Sequence, residues 1–323
     1  MTRHKMRLLC LLLMILSPII GCGTRSADSG TGAFAVRSRN SEHRRENSVL
    51  PPLGKARLIE PGVVVHEVSL GSGENPRNVW LYLPESAKDS SSVKLSVVLI
   101  APAGILFSGM ELEEGDRKEH IPYVRDGFAV VAYSLDGPLN DWKKANRKEI
   151  VEAVRALKDA NAGLENARVA LDYVLAKSPI LDASRIYAVG HSSAGVIALH
   201  VAANEQRIKG CVAFAPATDL VKTAASGWWL KSFASQIAGF EEYLRASSPI
   251  ANAPKLRCPV FLFNAEDDDN NPIEDIAILA DMIRKTNTNV TFVRAKKGGH
   301  FYSMIQEGIP QAIQWLKAQP SPQ

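Results

Sequence analysis

Apart from an apolar stretch at 8–20, polar residues dominate the first 55 positions; beyond them apolar runs and amphipathic stretches take turns. The segments VVVHEV (63–68) and NVWLYL (78–83) flank a Gly-Ser-Gly turn and read as a hairpin. LSVVLIA (95–101) and FAVVAY (128–133) are unbroken apolar runs, the pattern of strands covered on both faces. Leu164, Leu171, Val174 and Leu175 then share one face of a helix. RIYAVG (185–190), a helix from about Ser193, CVAFAP (211–216), PVFLFN (259–264) and a helix through Ile276, Leu279 and Ile283 follow. VTFVRA (290–295) and a last helix with Ile309, Ala312, Ile313 and Leu316 complete the series. Apolar strands alternating with amphipathic helices predict an α/β fold: a mostly parallel central sheet with helices on both faces. No internal repeat interrupts residues 56–323, which read as one domain with no room for a second.

Residues 222–250 break the rhythm. They carry Trp228, Trp229, Phe233, Phe240 and Tyr243, while Leu230, Phe233, Ile237 and Leu244 keep a helical period. Two readings stay open: a crossover helix with a bulky packing face, or a short helical cap that supplies aromatic pocket walls.

Composition adjusts this picture at the N-terminus. A chain of 323 residues with 46% hydrophobic residues can bury one large core. Arg3, Lys5 and Arg7 precede the apolar stretch Leu8 to Ile20, which is too short to span a bilayer comfortably and suits a signal-peptide core. It ends in Ile19-Ile20-Gly21-Cys22, which resembles a bacterial lipobox, so residues 1–21 are expected to be a signal peptide and Cys22 the lipidated residue. This implies a membrane contact through an N-terminal lipid and a place in the cell envelope, facing outside the cytoplasm. Residues 22–55, rich in Ser, Arg, Asn and Gly, read as a flexible tether. Without residues 1–21 the chain carries 35 basic and 34 acidic residues, so its basic excess is no sign of a nucleic-acid surface. Of four cysteines, Cys211 and Cys258 remain for the folded part. In an envelope compartment they are either two buried thiols or a bridge between neighbouring strands.

The chemistry starts at Gly190-His191-Ser192-Ser193-Ala194-Gly195, between an expected strand and an expected helix. A nucleophile on such a sharp turn needs small residues two before and two after it. For Ser192 these are Gly190 and Ala194; for Ser193 one of them is His191, which is too large. Ser192 is therefore the candidate nucleophile, and the Ser193 N–H lies where an oxyanion forms. A serine hydroxyl needs a base, and the base an orienting acid. PVFLFN runs into Ala265-Glu266-Asp267-Asp268-Asp269, and KKGGHFYSM brings His300 directly after VTFVRA. Both follow strand ends, where open α/β sheets build their sites.

Over roughly residues 60–318 the chain resembles the α/β-hydrolases, nearest the dienelactone-hydrolase and prolyl-oligopeptidase-like catalytic domains. The resemblance rests on the Gly190–Gly195 element, on Gly298-Gly299-His300, and on a strand followed by an acid loop. Relatives carry His-Gly-x-x-Asp-x-x-Val-Pro there; here Asn264-Ala265 and Asn271-Pro272 stand in for the flanking pairs. The alignment makes Asp268 the triad acid, with Asp267 one register away. The resemblance also implies a second oxyanion donor in the loop after LSVVLIA, where Ala101-Pro102-Ala103-Gly104-Ile105 stands; Pro102 has no N–H, which leaves Ala103 ahead of Gly104.

The other histidines read as background: His66 and His120 solvated, His200 a packing residue, His191 lining the pocket. The expected activity is that of a serine hydrolase cleaving carboxylic esters through an acyl-enzyme on Ser192. A prolyl-oligopeptidase-like peptidase is the alternative, although such relatives usually add a propeller domain that this sequence has no room for. A non-catalytic binding lipoprotein is the third reading, opposed by the intact Ser–Asp–His set. The substrate is thus a small ester or a short peptide. No nicotinamide or P-loop fingerprint is present, and scattered His and Cys residues give no metal cluster, so no cofactor is expected.

Overall fold

A computed structural model describes residues 50–71, 76–89, 94–104, 106–109, 112, 114–139, 144–226 and 233–320. The expected signal peptide, Cys22, nearly all of the expected tether, and Leu230 with Trp228 and Trp229 lie outside the described residues.

Nine strands form one sheet among the described residues: β1 (Arg57–Glu60), β2 (Val63–Leu70), β3 (Arg77–Pro84), β4 (Leu95–Ile100), β5 (Ala129–Tyr133), β6 (Leu181–His191), β7 (Ile208–Phe214), β8 (Val260–Ala265) and β9 (Val290–Ala295). Their order is β1-β2-β3-β5-β4-β6-β7-β8-β9. The pairs from β1 to β5 along that order are antiparallel. From β5 to β9 every pair is parallel. The apolar runs are the parallel strands, and their alternate residues fill two cores. Val97 and Leu99 face α3 (Leu164–Lys177), α4 (Ser193–Asn204) and α8 (Ile273–Arg284). Val98 and Ile100 face α1 (Arg117–Arg125) and α10 (Ile309–Lys317). This is the mostly parallel, doubly covered sheet that the alternation predicts.

Two helices escape the pattern reading. In α1 the run RKEHIPYVR mixes charges and Pro122 among the buried Ile121, Tyr123 and Val124. Helix α2 (Arg147–Asp159) opens on a capping box, in which the Asn146 side chain accepts from the Lys148 and Glu149 amides and Glu149 accepts from the Asn146 N–H.

The aromatic segment yields α5 (Leu220–Ala225), α6 (Phe240–Ser247) and α7 (Pro249–Asn252). Phe233, Ile237, Phe240 and Leu244 are buried in a third cluster with Phe107, Val151, Val154 and Leu220. For these residues the packing reading holds. His120 is corrected: it is 1% exposed, its ring packed 5.4 Å from that of Tyr82, and burial pushes its pKa down to about 4. His66 is likewise not solvated but half-buried, with Nδ1 2.6 Å from the Gly54 carbonyl oxygen. Pro52, inside the expected tether, accepts from the Tyr173 hydroxyl at 3.0 Å.

Cys211 and Cys258 are free thiols. Cys211 pairs in register with Val260, the first residue of β8, which sets Cys258 two positions before that strand. Strand spacing and rise then separate the two by about 8 Å, beyond the roughly 4.4–6.8 Å of a disulfide.

Candidate active site

Strand β6 ends in His191, helix α4 begins at Ser193, and Ser192 makes the corner. Its backbone sits at φ +55°, ψ −120°, a conformation L-residues rarely adopt. Neighbours hold it there: the Ser192 N–H donates to the Phe214 carbonyl at 2.9 Å, and its own carbonyl accepts from the Val196 N–H at 3.2 Å. The steric demand is visible at Gly190, where an added Cβ would lie 2.2 Å from the Ala194 carbonyl oxygen. Ser193 opens a helix of 12 residues, so its N–H is one of the first-turn amides without an intrahelical acceptor.

His300 reaches the corner from the other side. It lies in α9 (Gly299–Ser303), a single turn entered through Gly298 at φ +119° and Gly299 at φ +59°. A Cβ on Gly298 would also press within 2.8 Å of the Ser303 nitrogen, so this entry admits only glycine. His300 Nδ1 lies 2.8 Å from Asp268 Oδ2, and the Asp268 side chain is fully buried. The other Asp268 oxygen accepts from the Asn270 and Asn271 amides at 2.8 and 3.2 Å. A carboxylate held on both oxygens is placed to accept an N–H from Nδ1 and so to orient the ring. Among the described residues no hydrogen bond yet joins Ser192 to His300, a link that often tightens only with substrate bound.

The two neighbouring aspartates have different partners. Asp267 accepts from the Gly298 and Gly299 amides at 3.1 and 2.8 Å. Those amides hold its carboxyl below the usual range. Asp268 thus meets the ring and Asp267 holds the turn that carries it. The two asparagines that depart from the family pattern also have places. Asn264 Nδ2 donates to the Asn271 carbonyl at 2.6 Å, and Asn271 Nδ2 donates to the Ala215 carbonyl at 2.8 Å. They lash the acid loop to the end of β7, a role the sequence pattern does not reveal.

In the loop after β4, the Gly104 N–H donates to Ser193 Oγ at 2.7 Å. Nothing among the described residues accepts from the Ala103 N–H, so Ala103 rather than Gly104 is free to serve an oxyanion. His191 is buried, with its ring packed against that of His300. His200 is buried in α4, as expected of a packing residue. Among the described residues no group of three or more His, Cys, Asp or Glu side chains could hold a metal ion.

A strained serine at the corner between a parallel strand and a helix, with a hydrogen-bonded His–Asp pair placed after later strands of the same sheet, defines an α/β-hydrolase. Residues 139–319 match the prolyl oligopeptidase family, and the chain belongs to this family of serine hydrolases. Among curated proteins none matches. Solved structures share the fold. Acylaminoacyl peptidase of Pyrococcus horikoshii superposes with TM-score 0.65 at 15% identity, over 81% of this chain and 43% of that one. A putative dienelactone hydrolase from Klebsiella pneumoniae gives 0.58 at 17%, over 80% and 99%. Acetyl xylan esterase from Paenibacillus sp. R4 gives 0.57 at 15%, over 82% and 89%. The chain thus spans less than half the length of the acylaminoacyl peptidase.

Proposed function

We propose that the protein cleaves carboxylic esters through an acyl-enzyme on Ser192. The observation that carries this reading is the His300–Asp268 pair, 2.8 Å apart, with the acid buried and anchored on both oxygens. In this mechanism the Ser192 hydroxyl adds to the substrate carbonyl while His300 Nε2 takes its proton. The Ser193 and Ala103 N–H groups donate to the oxyanion. Collapse expels the alcohol, protonated by His300. Water, deprotonated by the same ring, then releases the acid. Asp268 keeps the imidazole oriented and balances its charge throughout.

Ester cleavage is the reading we favour, with a putative dienelactone hydrolase and an acetyl xylan esterase among the structural matches. A peptidase reading remains the second choice, on the family match. A panel of p-nitrophenyl esters of rising acyl length, acetylated sugars and peptide amides, run beside Ser192→Ala, tests both. Ester turnover lost in the variant supports the proposal; turnover of amides with no ester activity overturns it in favour of the peptidase.

We further propose that Cys22 carries a lipid and anchors the enzyme in a bacterial envelope. This reading is supported by the order of basic residues, apolar stretch, glycine and cysteine at the start of the sequence.

A further inference from the structure

A second imidazole–carboxylate pair lies against the first. His191, 5% exposed, is the variable residue of the elbow, and its ring centroid is 4.7 Å from that of His300. Its Nε2 lies 2.8 Å from the His300 carbonyl oxygen, and its Nδ1 lies 3.5 Å from Glu119 Oε1. Both ring nitrogens therefore face acceptors. A neutral imidazole has one N–H and would set a lone pair against one of these oxygens; an imidazolium donates to both. Two carboxylates stand near it and favour a cation. Helix α1 supplies the Glu119 carboxylate, whose side chain is 14% exposed, and the loop after β8 supplies Asp268. Helix α9 supplies the His300 carbonyl and ring together with the edge of Phe301, and β7 supplies Phe214 as the register partner.

The backbone that His191 grips is the one that needs gripping. His300 sits in a five-residue helix entered through two left-handed glycines. Asp267 holds the Gly298 and Gly299 amides from one side, and His191 holds the next carbonyl from the other.

We infer that His191, as an imidazolium paired with Glu119, is a positioning residue that braces the main chain of His300 and so fixes where the general base meets Ser192. This rests on the reading of His300 as the base. Burial opposes the charge on His191. The hydrogen bond and charge of Glu119, the His300 carbonyl and the charge of Asp268 outweigh it, and its pKa stands above the ordinary imidazole value. The brace is therefore complete at low and neutral pH and is lost as pH rises through that raised value. A brace of this kind governs kcat more than KM, because misplacing a reacting group by about 1 Å costs on the order of 100-fold in rate.

The test uses the full chain with Glu119→Gln, which removes the charge and keeps the shape, and His191→Gln. The brace predicts a kcat lowered by about tenfold in each, with KM within about twofold. It also predicts that the alkaline limb of the kcat profile moves to lower pH in Glu119→Gln. A folded Glu119→Gln whose kcat and alkaline limb both coincide with wild type overturns it. Nitrogen-15 NMR of the wild-type His191 ring reads the brace without any turnover. Both nitrogens protonated at neutral pH support it, and a bare Nδ1 overturns it. Failure of a fluorophosphonate to label Ser192 counts against the esterase reading and leaves the protonation state seen by NMR unaffected.

Discussion

At the scale of single residues the decisive contrast is between two adjacent aspartates. Asp268 touches the imidazole and Asp267 touches only backbone amides. Asp268→Asn sets an amide against Nδ1, favours the wrong tautomer and is expected to lower kcat/KM by about 10⁴-fold. Asp267→Asn keeps one acceptor for the Gly298–Gly299 turn, and a loss of about tenfold or less is expected, through position alone. Steady-state kinetics on the best ester decides it, and the reverse order would dislodge Asp268 from the proposed triad. Ser192→Ala and His300→Ala are each expected to abolish nearly all turnover, and the double variant to lose no more than either one, because the groups act as a unit. Additive losses would mean that the two side chains serve separate steps.

At the scale of elements, the helix that presents Ser192 is pinned at its far end. Glu205 follows α4 and accepts from Arg207 Nε at 2.9 Å and Arg168 Nε at 3.1 Å, which ties α4 to α3 and to the start of β7. Burial opposes its charge, but the Arg207 hydrogen bonds and charge, with Arg168, hold its pKa down to about 2 from 4.5. A depressed carboxylate contributes stability that is full above the unfolded value and fades as pH falls toward the folded one. Glu205→Gln is therefore expected to lower the melting temperature at pH 7 and to match wild type near pH 2, with the gap closing below about pH 4.5. A gap independent of pH in thermal scans would show that shape, not charge, makes the clasp. The same scale explains what the sequence reveals. Strands β4 to β8 are legible because a strand covered on both faces has only apolar neighbours to satisfy. The elbow is legible because its sterics act within five residues, from Gly190 to Ala194. Helix α1 is hidden because its charged residues and Pro122 dilute a short apolar face. The choice between Asp267 and Asp268 stays open in sequence because neighbours on a turn point apart, and only the third dimension says which meets His300. Glu119 is invisible for the same reason: it reaches His191, at the end of β6, from helix α1, a contact made by the fold and not by spacing along the chain.

At the scale of the whole molecule the proposals divide the chain into a part that does chemistry and a part that addresses it. Every residue given a chemical role lies between Ala103 and His300, while the proposed lipid site, Cys22, lies outside the described residues. Among the described residues no helix is long and apolar enough to cross a membrane. A single acyl chain binds a bilayer only marginally, so stable anchoring through Cys22 calls for a second signal, either another chain or a basic patch near it. The separation makes the proposal testable without touching catalysis. In cells, Cys22→Ser is expected to move the protein from the membrane fraction to the soluble one. Its kcat and KM on water-soluble esters are expected to stay within about twofold of wild type, because no group that touches the reacting atoms has changed. Mass spectrometry of the wild-type N-terminal peptide supplies a second measurement: an acylated Cys22 as the first residue is expected. An unmodified Cys22, with the wild-type protein already in the soluble fraction, would remove the anchor and leave the esterase proposal standing on Ser192, His300 and Asp268.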